Sequence, residues 1–299
     1  MRVVAVVNQK GGVGKTTVTL GLASAAYHRG RRCVVVDLDP QANATTGLAV
    51  WEAERTIDDA LASEEVGSLS RCLTRAGWPD RDGGRVPLVV AGTPRLAARE
   101  PLLASDPVGA QDRLAVAMAG LQADLVLVDC PPSLGLLTVN GLFAATDVLV
   151  VTEPAAWSRD GLAQMLSTVE RISLRRREPL RLGGVVVNKI TRTRDASYWL
   201  TALREELASK IVAEIPMRAA LAEAAAQALP VHALGNRPGA PEAARLFEDL
   251  LETVSGSPPA LSPDEPTSIP DAPPSATDAA TDAPATGEMV TPVGADSRR

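Results

Sequence analysis

A doubly wound α/β fold, with a mostly parallel sheet flanked by helices, is what this 299-residue sequence predicts. Three observations carry that expectation. Short valine-rich runs recur along the chain, they are apolar at every position rather than alternating, and longer alanine- and leucine-rich segments separate them. A strand that is hydrophobic throughout must be covered on both faces. Strands that alternate with helices close into right-handed βαβ units.

Taken in order, strands are expected at residues 3–7, 33–38, 88–91, 125–128, 148–152 and 185–188, with 211–215 as a further candidate. Helices are expected at 16–29, 112–121, 160–174 and 196–208. A last helix over 242–254 places Leu246, Phe247, Leu250, Leu251 and Val254 on one stripe. Its other positions carry Glu242, Glu248, Asp249 and Glu252 against Arg245, charges that an anionic bilayer repels. That helix is therefore expected to pack on the sheet. With aromatics at only 3%, the core must be built mainly from Val, Leu, Ile and Ala.

Composition changes after residue 254. The last 45 residues hold nine prolines and no aromatic, and their seven acidic residues face only Arg298 and Arg299. Such a segment cannot bury enough apolar surface to offset chain entropy, so residues 255–299 are expected to be a disordered acidic tail on a single domain of residues 1–254. The tail accounts for −5 of the formal charge of −6, which leaves the domain near −1. A nearly neutral body neither announces a nucleic-acid binder nor excludes a local basic patch.

Cys33, Cys72 and Cys130 lack CxxC spacing, so neither a zinc site nor a disulfide framework is expected. His28 and His232 lie far apart and read as surface or helix-end histidines. No run approaches the roughly 18 apolar residues of a membrane span. The first ten residues hold too short an apolar stretch for a signal peptide, so a cytoplasmic protein without membrane contact is expected.

Four lysines occur in the whole chain, and two of them fall in one loop, Lys10-Gly11-Gly12-Val13-Gly14-Lys15-Thr16-Thr17. The loop follows a predicted strand and opens a predicted helix, the context of a phosphate-binding P-loop. Its glycines let backbone N–H groups wrap phosphate oxygens, and the helix N-terminus adds positive character. Lys15 is placed to reach the β- and γ-phosphates, and the Thr16 hydroxyl to ligate Mg²⁺. Asp37 and Asp39 follow a strand, and Asp129 ends one. Three carboxylates so placed escape mutual repulsion only around a divalent ion.

A lysine at the start of the motif makes this loop resemble the deviant Walker A loop of the ParA/Soj and MinD group of P-loop ATPases. The likeness continues through Asp37-Leu38-Asp39-Pro40-Gln41, Asp129-Cys130-Pro131-Pro132-Ser133 and Ile215-Pro216-Met217-Arg218. It spans everything except the tail, and these segments look like partition ATPases rather than MinD. The resemblance implies that Lys10 crosses to the nucleotide of a facing subunit, so that ATP becomes part of a homodimer interface. It implies that Asp39 orients the attacking water, that Asp37 holds either the magnesium shell or the loop, and that Thr16, Asp39 and Asp129 surround Mg²⁺. It further implies non-specific binding of double-stranded DNA on the nucleoid and a ParB-type centromere-binding partner that stimulates hydrolysis. Arg192, Arg194 and Arg218 are the DNA-contact candidates, followed by Arg175, Arg176 and Arg177.

Base choice is read from residues 187–191. Guanine readers typically carry Asn-Lys-x-Asp, and this chain has Asn188 and Lys189 but Thr191 in the acidic position. The missing carboxylate favours adenine, with Asn188 on the base edge and Pro216 against the ring. Two further readings remain open at this stage, a related ATPase that positions a polar protein complex and an ATP-sensing regulator with little turnover.

Overall fold

The computed structural model describes residues 1–156 and 158–256. The tail expectation therefore falls outside the described residues beyond Gly256. Eight strands form one sheet: β1 (Arg2–Val7), β2 (Cys33–Asp37), β3 (Leu73–Arg75), β4 (Leu88–Val90), β5 (Leu125–Asp129), β6 (Asp147–Thr152), β7 (Arg181–Ile190) and β8 (Ile211–Pro216). Their order is β3-β4-β2-β5-β1-β6-β7-β8, and every neighbouring pair is parallel except β3 with β4. The doubly wound expectation stands. The three-residue edge strand β3 was not foreseen, because a strand covered on few sides carries no long apolar run.

Continuous apolarity has its predicted cause. Along β1, Val3, Ala5 and Val7 enter the core on one face of the sheet, and Val4 and Val6 enter the core on the other. The first face is covered by α3 (Ile57–Ala62), α4 (Leu96–Ala104), α5 (Arg113–Ala117), α6 (Leu136–Ala144), α7 (Ser158–Ser173) and α8 (Arg194–Leu207). The second is covered by α1 (Lys15–His28), α2 (Asn43–Gly47), α9 (Ala219–Ala226) and α10 (Ala240–Ser255). Five of these helices, α2, α3, α4, α6 and α9, had no counterpart in the sequence reading. Most are a few turns long, too short for a 3.6-residue period to establish itself. The helix expected over 112–121 stops at Ala117, and Gly120 beyond it takes a left-handed φ of 78°.

Helix α1 positions the site and is also the most enclosed helix of the second face. From Gly21 to Tyr27 each residue is buried, and all but Leu22 and Tyr27 are small. That smallness admits α10: a Cβ on Gly21 would stand 2.3 Å from the Phe247 ring. Phe247 is fully buried there, on the stripe read from the sequence. The few aromatics are not confined to the surface, since Trp78 and Tyr27 meet edge to face at 5.8 Å and Trp78 Nε1 donates to the Gly47 carbonyl at 2.9 Å.

His28 is the helix-end histidine expected from the sequence, but the His232 side chain is buried and the two meet, which the sequence did not indicate. His28 ends α1 and His232 lies in the 3₁₀ turn Val231–Leu234, yet their rings stack with centroids 4.5 Å apart. They meet because α10 brings the turn before it back over the end of α1.

Phe247→Ala should lower the unfolding free energy by about 3–5 kcal/mol in a urea titration, the range for emptying an aromatic core site. A loss below about 1 kcal/mol would mean that α10 is not locked onto α1 in this way.

Candidate active site

The P-loop is held from both sides before any ligand arrives. On the entry side, Asn8 donates to the Val151 carbonyl at 2.6 Å, and its Oδ1 accepts from the Lys10 N–H at 3.0 Å. Within the loop, Gly12 and Gly14 take φ of 78° and 93°, the left-handed region open to glycine without strain. Gly14 is constrained a second time, because a Cβ there would come within 2.1 Å of Asn188 Nδ2. That amide donates to the Val13 carbonyl at 2.9 Å, and the next side chain, Lys189, donates to the Gly12 carbonyl.

Successive side chains of a regular strand point to opposite faces. Here Lys189 has φ of 55°, and the β7–β8 register shifts between Val187 and Ile190. The irregularity lets Asn188 and Lys189 serve the same loop, a common use of bulges beside functional sites. The loop then runs into α1, whose N-terminus offers unpaired N–H groups and the positive end of its dipole.

Three acidic side chains lie at the ends of adjacent strands. Asp37 and Asp129 are register partners across β2 and β5, and Val6 of β1 pairs with Asp129 on its other side. Asp129 is fully buried; its Oδ2 accepts from Thr16 Oγ1 at 2.7 Å and its Oδ1 from Thr19 Oγ1 at 3.1 Å. Asp37, also fully buried, accepts from the N–H and hydroxyl of Thr45 at 2.8 and 2.7 Å and from the Asp39 N–H at 3.1 Å. Of the two roles left open for Asp37, the structure displays that of a loop anchor. Asp39 accepts from the Gln41 N–H at 2.9 Å.

Burial raises the carboxyls of Asp129 and Asp37 above the ordinary aspartate range, and a neighbouring carboxylate raises each further, Asp37 acting on Asp129 and Asp39 on Asp37. Desolvation likewise lowers the Lys15 ammonium, opposed by Asp129, Cys130 and Asp39. Lys15 Nζ lies 3.4 Å from the Lys10 carbonyl oxygen. A desolvated cation between a phosphate cradle and a buried acid fits a triphosphate. The raised carboxyls beside the Thr16 hydroxyl likewise fit a divalent ion, which would supply the charge they lack.

The other predicted residues have the following surroundings. Asn188, expected on the base edge, directs its amide to the loop. Pro216 ends β8, half-buried, and the following Met217 N–H donates to the Ile190 carbonyl at 2.9 Å. Lys10 points to Glu153, with Nζ 2.7 Å from Oε1. Arg192 and Arg194 flank Thr193, which caps α8, and both are exposed. Arg218 is half-buried, with its Cδ at 3.4 Å from the site of a Cβ on Gly239 and its Nε buried without a hydrogen-bond partner. Arg176 donates to the carbonyls of Leu142 and Ala145 and so closes the end of α6. Asn8, Thr19, Thr45 and Glu153 were not singled out from the sequence. Only the positions of Asn8 and Glu153, directly after strand ends, could have signalled them.

A family model described as an AAA domain matches residues 1–182. The chromosome-partitioning ATPase Soj of Thermus thermophilus is 36% identical over 258 residues, covering 85% of this chain and 97% of that protein. An uncharacterized protein of Mycobacterium tuberculosis is 38% identical over 192 residues, and the chain spans only 58% of its length. Among solved structures, cobyrinic acid a,c-diamide synthase from Mycobacterium smegmatis, with bound ATP analog and magnesium, has a TM-score of 0.67 at 28% identity. It covers 84% of this chain, which covers 95% of it.

Because burial raises both acids, the folded chain binds more protons than the unfolded chain between the ordinary aspartate value of about 4 and neutrality. Their contribution to stability is present at low pH and is lost as pH rises through that window. In chelator and without nucleotide, the Tm of the wild type minus that of Asp129→Asn should fall by a few degrees between about pH 5 and about pH 8. A flat difference would show that Asp129 ionises without cost.

Proposed function

Since the chain belongs to the ParA/Soj family of P-loop ATPases, we propose that it is a DNA-partition ATPase switched by its own nucleotide. ATP pairs two copies face to face, the pair holds double-stranded DNA without sequence preference, and a ParB-type partner stimulates hydrolysis and resets it. The observation that carries this reading is the convergence of Lys15, Thr16 and Asp129 beneath a loop that begins with a second lysine.

Each residue has a task in that scheme. Backbone N–H groups from Gly11 to Thr17 and the Lys15 ammonium bind the phosphates. Thr16 and Asp129, with Asp39 nearby, would hold Mg²⁺, which when bound with the nucleotide supplies positive charge to its phosphate oxygens. Asp39 orients a water for attack on the γ-phosphorus. The bond to the β–γ bridging oxygen breaks, ADP leaves, and the water's proton passes to phosphate or solvent. Lys10 neutralises charge on a facing copy's phosphates, as an arginine finger does. To do so it exchanges Glu153 for phosphate. Both partners are partly exposed, and such pairs contribute about 0–1 kcal/mol, so the exchange is easy.

Adenine is favoured by Thr191, which leaves no carboxylate for guanine's donors, and Pro216 is assigned as a wall for the base. For DNA, Arg192 and Arg194 are better placed than Arg218. They are exposed at the start of one helix, whereas Arg218 is half-buried. Among the described residues no helix is long and apolar enough to cross a membrane.

Light scattering with ATP, with ADP and without nucleotide tests the switch, and only ATP should double the mass. Asp39→Ala should keep the ATP-bound dimer while phosphate release drops at least about tenfold; unchanged turnover would remove Asp39 from the chemistry. Arg192→Glu combined with Arg194→Glu should retain ATP-dependent pairing but lose about tenfold or more in plasmid affinity, with a shallower salt dependence. Retention at full strength would place the DNA surface elsewhere.

A further inference from the structure

The only two histidines of the chain meet at one carboxylate. His28 Nδ1 lies 2.9 Å from Glu248 Oε1, and His232 Nε2 lies 3.2 Å from the same oxygen. All three atoms lie within 4.8 Å of one another. We infer that His28, His232 and Glu248 form a binding site for a zinc-class transition-metal ion, separate from the nucleotide site.

The ligand chemistry selects the ion. Two imidazole nitrogens and one carboxylate oxygen suit Zn²⁺ with water at its open position, whereas Mg²⁺ prefers oxygen ligands in an octahedron. Zinc bonds of about 2.0–2.1 Å in a tetrahedron set neighbouring ligand atoms about 3.3 Å apart. The observed nitrogen-to-oxygen separations are close to that edge, so small side-chain adjustments would admit the ion.

The alternative is a self-sufficient hydrogen-bonded cluster, and one atom argues against it. His28 Nδ1 is buried yet makes no hydrogen bond, although the carboxylate is near. The nitrogen is at ion-pair distance from the carboxylate but not in line for a hydrogen bond, so hydrogen bonding alone does not complete the cluster. The surroundings also resemble the outer sphere of a metal site. Ser24 Oγ, fully buried, lies 2.7 Å from His232 Nδ1; with the proton on Nδ1, the Nε2 lone pair faces Glu248. Arg29 Nη2 holds the other oxygen of Glu248 at 3.1 Å and leaves Oε1 to the two rings. Burial lowers the His232 pKa, which keeps the imidazole in its neutral, ligating form at neutral pH. His28 is about a third exposed, so an ion has a path from solvent.

The location gives the ion a consequence. His28 is the last residue of α1, whose first is Lys15, so the cluster lies about 20 Å along the helix from the P-loop at 1.5 Å per residue. A cation there meets the negative end of the helix dipole. It also ties α1 to the 3₁₀ turn and α10, two neighbouring segments far from α1 in sequence.

The test uses the full-length, tag-free protein, treated with chelator and free of nucleotide. Titration with zinc chloride in a calorimeter should give one site that excess magnesium does not displace, with a rise in Tm. His28→Asn and Glu248→Gln should each weaken binding at least tenfold, and Asp129→Asn, which alters the other acidic cluster, should leave it unchanged. Because the chain has two histidines, ¹⁵N spectra of their rings report on the wild type directly and do not depend on a variant folding. Saturating zinc should shift Nδ1 of one ring and Nε2 of the other. Ring signals unmoved by zinc, or stoichiometric zinc binding that survives both substitutions, would overturn the assignment.

Discussion

A carboxylate with no access to water, Asp129, fixes the geometry around which the rest of this molecule is arranged. It stands at the end of the central strand pair, fully buried, and the hydroxyls of Thr16 and Thr19 reach it from the first turns of α1. A buried acid must be neutralised by a proton, a cation or hydrogen bonds. Here the hydroxyls supply part of that compensation and Lys15 stands close enough to supply more. Burial raises the pKa of the acid despite them, which fits the proposed divalent ion and the phosphates that accompany one. The helix cannot shift along β5 without abandoning that carboxylate, so the loop preceding it is also fixed.

Preorganisation of the loop follows from the same economy of contacts. Asn8 ties its entry to β6, while Asn188 and Lys189 tie its crest to an irregular end of β7. The Gly12 and Val13 carbonyls are thereby occupied by protein donors, which leaves the N–H groups after Lys10 to the proposed ligand. Rigid donors aimed at a phosphate need no reorganisation when it binds, which is how such sites turn hydrogen bonds into affinity and rate. Lys10 is the exception. Its pair with Glu153 is accessible to solvent and easily exchanged, which suits a group whose proposed target lies on another copy.

The same helix α1 that begins at the phosphate cradle ends at His28, against His232 and Glu248. One enclosed helix therefore joins two clusters of ionisable groups of opposite chemistry, acids at its positive end and imidazoles at its negative end. Each is the arrangement that the helix dipole favours for its proposed ligand, an anion at the first and a cation at the second. The small residues between Gly21 and Ala26 let α10 lie close enough to complete the second cluster.

The sequence by itself determined the sheet, its parallel character and the position of the phosphate loop. Strands apolar at every position can exist only between two layers, and Lys10 to Thr17 carry their chemistry in local spacing. Short helices such as α6 and the edge strand β3 left no periodic trace long enough to recognise. Tertiary structure alone decided what the side chains do at a distance. Asn188 turned to the loop because a bulge places it there, Arg176 turned inward to the end of α6, and Arg218 became half-buried. Glu153 became the partner of Lys10, and two histidines 204 positions apart became neighbours through the folding back of α10. A linear sequence records which groups are available, but distances between groups far apart in the chain exist only once the layers have packed.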